Sequence, residues 1–123
     1  MSRLNNSQIG KCGEELVAKH LIQLGWTVVA QNHRCPFAEI DILAFSPNQR
    51  LVVVEVKSRR SFSWLDEYDC LSQQQRQRLS KACAYFTSKT KDGLPARLDL
   101  ALVDLKSNTK SKIRLFKDLD LLN

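Results

Sequence analysis

Two neighbouring segments constrain this chain more than anything else in it: Glu39-Ile40-Asp41-Ile42-Leu43 and Val53-Val54-Glu55-Val56-Lys57. Both have the β-branched, alternating character of strands, and Ser46-Pro47-Asn48-Gln49 between them has turn chemistry. They read as the arms of a hairpin, Glu39 to Phe45 and Leu51 to Lys57. A period of two puts Glu39, Asp41 and Leu43 on one face of the first arm and Ile40, Ile42 and Ala44 on the other. In the second arm Glu55 and Lys57 share a face, and Val52, Val54 and Val56 share the opposite one. Faces that should be core are thus interrupted by carboxylates and a lysine, brought side by side by the hairpin.

Burying such groups is costly unless they pair with one another or bind a cation. Two readings follow. Carboxylate oxygens suit Mg²⁺ or Mn²⁺, which polarise a phosphate and acidify a bound water, and Lys57 would then stand beside the metal as a point cation. Alternatively, Asp41, Glu55 and Lys57 form an ion-pair cluster that only holds the sheet together.

The rest of the chain supplies a frame for that hairpin. Ile9 to Leu24 repeats apolar residues at helical spacing, with Ser7 as N-cap and Gly25 as the stop. Glu14 borders its apolar face and is a fourth candidate ligand, whereas Glu15 aligns with Lys19 as solvated surface. Trp26 to Gln31 reads as a strand, Asn32 to Pro36 as a loop, and Ser58 to Asp69 as a loop able to close over a ligand. Trp64 in that loop reads as packing rather than as a base-stacking group. From Ser72 to about Lys89, Gln75, Leu79, Ala82, Cys83 and Phe86 share a helical face, and Gly93 and Pro95 end the helix. Leu98 to Leu105 reads as a further strand and Ile113 to Phe116 as a last edge strand. The order αβββαββ predicts an α/β fold with a mixed central sheet flanked by helices, and 123 residues suffice for one domain spanning 1–123.

Composition narrows the function classes. The longest purely apolar run is Leu51 to Val54, far short of the roughly 18 residues that span a bilayer. The N-terminus lacks the pattern of a secretory signal, so a cytoplasmic protein with no membrane partner is expected. Cys12, Cys35, Cys70 and Cys83 show no CxxC or Cys/His pairing, which argues for buried or half-buried thiols rather than zinc ligands or disulfides. Nineteen Lys and Arg against thirteen Asp and Glu give a net charge of +6, which favours polyanions and makes nucleic acid the leading partner class.

At this point the residues resemble a known pattern. Asp41 followed by Glu55-Val56-Lys57 is similar to the acid and ExK of the PD-(D/E)xK nuclease superfamily. Gly10-x-x-Gly13-Glu14, Gly25, Asn32-His33-Arg34, Glu39-Ile40-Asp41-Ile42-Leu43, Val54-Glu55-Val56-Lys57-Ser58-Arg59 and Arg97-Leu98-Asp99 resemble, over roughly residues 7–105, the bacterial YraN-type uncharacterised family. That family is similar in turn to archaeal Holliday-junction resolvases. The resemblance implies a restriction-endonuclease-like αβββαβ core and metal-dependent phosphodiester hydrolysis on DNA, with a homodimer presenting two sites to a branched substrate. It implies Glu14, Asp41, Glu55 and Lys57 as catalytic residues, with Mg²⁺ or Mn²⁺ held by Asp41, Glu55 and Glu14; Glu39, by its own place in the strand, is either a further metal ligand or a strand-entry residue near solvent.

Arg34, Arg59, Arg60 and Arg97 are the basic residues expected nearest the DNA backbone. Two positions depart from the family pattern: Ala38 stands where the family usually has Gly, and Ser72-Gln73-Gln74-Gln75 replaces a usual Lys, leaving Gln74 and Gln75 as neutral donors to a phosphate or a water. The alternative is a nucleic-acid-binding or adaptor protein that keeps the nuclease fold without turnover.

Overall fold

In a computed structural model, which describes residues 5–59, 71–105 and 112–119, the chain folds as α1 (Asn6–Gln23), β1 (Thr27–Arg34), β2 (Glu39–Phe45), β3 (Leu51–Arg59), α2 (Gln73–Thr87), β4 (Arg97–Asp104) and β5 (Lys112–Phe116). The αβββαββ order read from the sequence is the order observed.

The strands form one mixed sheet in chain order, β1 to β5. β1/β2 and β2/β3 are antiparallel hairpins, β4/β5 is antiparallel, and β3/β4 is parallel, with α2 making the crossover a parallel pair requires. Each helix covers its own apolar cluster. Val17, Ala18 and Leu21 of α1 pack with Trp26, Ile42, Ala44, Val52, Val54 and Val56. Leu79, Ala82, Cys83 and Phe86 of α2 pack with Ile40, Leu43, Val53 and Leu98. The inner strands are therefore buried on both faces, which explains why Leu51 to Val54 is a continuous apolar run rather than an alternating one.

Local chemistry sets the helix ends, with some differences from the sequence reading. α1 is capped by Asn5, not Ser7: the Asn5 side chain accepts from the Gln8 N–H at 2.8 Å and the Gln8 side chain returns the bond to the Asn5 N–H at 2.9 Å. That reciprocal pair satisfies two donors where a serine two residues on would satisfy one. Leu24 is the C-cap and half exposed rather than core, and Gly25 follows with φ of 92°, as a stop glycine should. Ser72 caps α2 through the same reciprocal bond with Gln75.

Two loops are shorter than expected. β1 runs on to Arg34 because His33 and Arg34 pair with Ile40 and Glu39, leaving only a tight turn in which the Cys35 N–H donates to the Ala38 carbonyl at 2.9 Å. Ser58 and Arg59 continue β3 because they pair with Val103 and Asp104. The expected closing loop with Trp64, and Arg60 and Cys70 with it, otherwise lies outside the described residues.

Candidate metal centre

The hairpin does not keep its pairing to the end. β2 and β3 are in register from Phe45/Leu51 to Ile42/Val54, and beyond that pair the strands part. The Val56 N–H, which would have bonded the next backbone carbonyl of β2, is taken instead by an Asp41 carboxylate oxygen at 2.8 Å. The acid thus stands in for a ladder acceptor and wedges the fork open.

The period of two fails at the same place. Leu43 faces α2 while Ile42 and Ala44 face α1, as expected, but Ile40 joins the α2 cluster rather than the α1 cluster. On the neighbouring strand Asn32 adopts φ of 51°, a left-handed conformation that asparagine tolerates better than most residues. The irregularity in β1 and the splay of β2 from β3 sit side by side.

Three carboxylates from three elements converge on this fork. Glu14 comes from α1, and it arrives because Gly13 lets the helix lie directly on β3: a Cβ at Gly13 would overlap the Ser58 hydroxyl. Glu14 and Glu55 each lie close to Asp41, and the Asn32 side chain lies close to Glu14. Burial, and then the Asp41 carboxylate as both hydrogen-bond partner and like charge, raises Glu55 from 4.5 to about 9; Lys57 pulls the other way without reversing it. Burial and the Asp41 charge raise Glu14 to about 7, against the opposing Asn32 hydrogen bond. Near neutral pH Glu14 and Glu55 are thus held toward their protonated forms, first by burial and then by the neighbouring Asp41 carboxylate.

Among the described residues no three carboxylate, histidine or cysteine groups stand in ready coordination geometry. The donor set nevertheless fits a hard divalent cation: it is all oxygen, it is held by three separate elements, and its stored like-charge repulsion is what a dication would relieve.

Around the fork lies an open groove of about 360 Å³ lined by Arg34, Pro36, Phe37, Ala38, Glu39, Glu55, Gln75, Arg78 and Leu79. Glu39 is exposed at its rim, and the first turn of α2 borders it through Gln75, which brings the positive end of the helix dipole close by. A second hollow, of about 650 Å³, is lined by Asn6, Ile9, Gly10, Val56, Lys57, Ser58 and Arg59.

The residues picked from the sequence therefore separate. Glu14, Asp41, Glu55, Lys57, Glu39, Arg34 and Gln75 surround the fork, and Arg59 is exposed at the end of β3 with its guanidinium on its neighbour's carbonyl at 2.8 Å. Gln74 is exposed on α2 and does not line the groove. Arg97 is not brought to the site: it grips buried Asp99 through two bonds of 2.9 Å and lies over the Trp26 ring at 5.7 Å. Two groove neighbours escaped the sequence reading. Asn32 reads as part of a loop, and Arg78, which lines the groove, draws no reading from the sequence.

The fold has solved counterparts. It aligns with the Holliday junction resolvase Hjc from Archaeoglobus fulgidus at a TM-score of 0.54 and 21% identity, over 88% of this chain and 76% of that one. It also aligns with a repair endonuclease from Pyrococcus abyssi at a TM-score of 0.50 and 13% identity, over 87% of this chain and 42% of that one. The fold is thus the restriction-endonuclease-like α/β fold expected from the sequence.

Within that fold the chain belongs to Uncharacterised protein family UPF0102, which it matches over residues 13–103. A relative from Syntrophus aciditrophicus is 38% identical over 114 residues, covering 92% of this chain and 88% of its own. Another from Acaryochloris marina is 36% identical, covering 87% and 70%.

Proposed function

We propose that this protein is a metal-dependent endonuclease that hydrolyses phosphodiester bonds in DNA, working in the cytoplasm. The observation that carries the reading is the fork itself: three carboxylates from α1, β2 and β3 press together at the mouth of a groove, with Lys57 beside Glu55 and arginines on the rim. Asp41, Glu55 and Glu14, with Glu39 at the edge, are the groups that would hold Mg²⁺ or Mn²⁺. An ion bound there supplies phosphate polarisation and a more acidic water.

The remaining steps fall to the chain's own side chains. Lys57 offsets the negative charge that develops on phosphorus and steadies the attacking water by hydrogen bonding. Arg34 and Arg78 neutralise the non-bridging oxygens of the flanking phosphates, and Gln75 with the α2 N-terminus donates to the same anion. A homodimer presenting two such sites would suit a branched DNA.

A second reading has two observations in its favour. An Asp41 oxygen is already committed to the Val56 N–H, and the described residues form no ready metal cage, as would suit a DNA-binding adaptor that kept the fold. Incubation with labelled branched, single-stranded and linear DNA in Mn²⁺, Mg²⁺ or chelator separates the two. The nuclease reading expects metal-dependent cutting that Glu55→Ala and Lys57→Ala abolish. Tight binding in chelator, with no cutting in any metal, would establish the adaptor.

A further inference from the structure

One feature of the groove is not used by hydrolysis. Phe37 is 44% exposed at the groove rim, at the tip of the tight turn between β1 and β2. A large aromatic ring in such a place normally finds a core, and this one is held out of it. The turn is pinned by the Cys35–Ala38 backbone bond, with Cys35 buried and Pro36 fixing its own φ, so the ring is carried on a stiff support.

The ring is also buttressed. Tyr85 of α2 meets it edge-on with centroids 6.3 Å apart, Tyr85 meets Phe86 edge-on at 5.2 Å, and Phe86 in turn contacts His33 at 6.0 Å. The charge around this row is positive. Arg34 and Arg78 line the groove with Phe37, and Lys89 lies over the Tyr85 ring at 5.3 Å. On α2 the positions Arg78, Lys81 and Tyr85 follow at three- and four-residue spacing, and Lys89 sits in the turn just past the helix over the Tyr85 ring, so cations and one aromatic form a row leading away from the carboxylates.

Cations alternating with an exposed, rigid ring are the pattern that recognises unpaired nucleotides: the ring stacks on a base of any identity and the cations follow the phosphates. Within a base-paired duplex the bases are stacked on one another and offer no free face, so Phe37 has no comparable role there. We infer that Phe37 is a stacking platform for an unpaired base beside the scissile phosphate, with the outgoing single strand running along Arg78 and Lys81 of α2 toward Lys89 in the turn that follows it. This rests on the proposed nuclease reading and deepens it, making the substrate DNA that carries a single-stranded segment.

The test is binding by the full chain, in chelator, of a fluorescent oligothymidine and of a blunt duplex. Phe37→Ala should weaken oligothymidine binding by about tenfold or more, as loss of one base–aromatic stack implies. Phe37→Leu, which keeps apolar bulk without a π-face, should lose as much, and Phe37→Trp should restore binding; duplex affinity should change less than twofold. Unaltered oligothymidine affinity in Phe37→Ala, or equal losses on both DNAs, would overturn the inference. Cutting assays on the same preparations keep the two ideas apart. Metal-dependent cutting lost only in Glu55→Ala, with Phe37→Ala binding normally, removes the platform and leaves the nuclease. A stacking effect without any cutting removes the nuclease and leaves the platform as a single-strand binding site.

Discussion

Two places in the same sheet hide carboxylates, and they are built in opposite ways. On β4, Asp99 is fully buried, yet both its oxygens are engaged by the Arg97 guanidinium and one also accepts from the Asp118 N–H at 2.9 Å. Asp99 lies level with Val54 across the β3–β4 ladder, one position short of Glu55. At the fork, Asp41, Glu14 and Glu55 face each other with Lys57 as the nearby cation, and two of the three are driven toward their protonated forms. A buried charge that brings its own bidentate partner is part of the scaffold. Half-buried charges that meet like charges keep a cost that folding alone does not relieve, a pattern that functional sites share.

The sharpest way to break this contrast is to remove one residue from each place. At the fork, Glu55→Ala or Lys57→Ala should reduce metal-dependent cutting by about 10²–10³-fold while the protein stays folded; product formation and circular dichroism on the same samples check both. On β4 the effect should be on folding. Arg97→Ala strands Asp99 and should cost about 3–5 kcal/mol in urea denaturation, and an apolar pair at both positions should recover much of that loss. If Arg97→Ala unfolds as easily as wild type, Asp99 is not held in the way described.

A pH series sharpens the same comparison. Glu55 rises from 4.5 in the unfolded chain to about 9 in the fold, so the unfolded state releases its proton first. The Glu55 contribution to metal-free stability should therefore be fully present below about pH 4.5 and be lost as pH rises toward 9. Glu55→Gln should flatten that slope and stabilise the protein at pH 8, by something on the order of 1–3 kcal/mol. Melting temperatures across the range in chelator would show it. Gly13→Ala, which forces α1 off Ser58, should cost about 1–3 kcal/mol by thermal melting and loosen Glu14 from the fork. The smallest effect belongs to the rim: Arg34→Gln and Arg78→Gln should each lower the salt slope of DNA binding by about one, whereas Arg97, already committed to Asp99, should not contribute to that slope.

Much of this was legible in the sequence, for reasons that differ by element. β2 and β3 announced themselves because charged residues interrupted a period of two, and Glu14 because it bordered an apolar helical stripe. What alternation could not convey was the break at Asp41. A strict period puts Glu39, Asp41, Glu55 and Lys57 on matching faces, but the site is a gap between two strands, reached by Glu14 from the α1 side and by the groove from the α2 side. That gap depends on a carboxylate replacing a backbone acceptor and on Asn32 taking a positive φ, neither of which leaves a periodic trace. Arg97 misled because a charge at the start of a strand looks solvated until its partner two residues on proves to be buried.

On the proposed reading the fork is a divalent-cation site whose Glu14 and Glu55 stay protonated until the cation arrives. Calorimetric titration with Mn²⁺ at pH 7, repeated in two buffers of different ionisation enthalpy, tests it most directly. Binding should release about one proton or more per ion and tighten as pH rises, because the ligand carboxyls must deprotonate, and Glu55→Gln should lose most of the affinity. Absence of Mn²⁺ binding, or binding that releases no protons and survives Glu55→Gln, would contradict it.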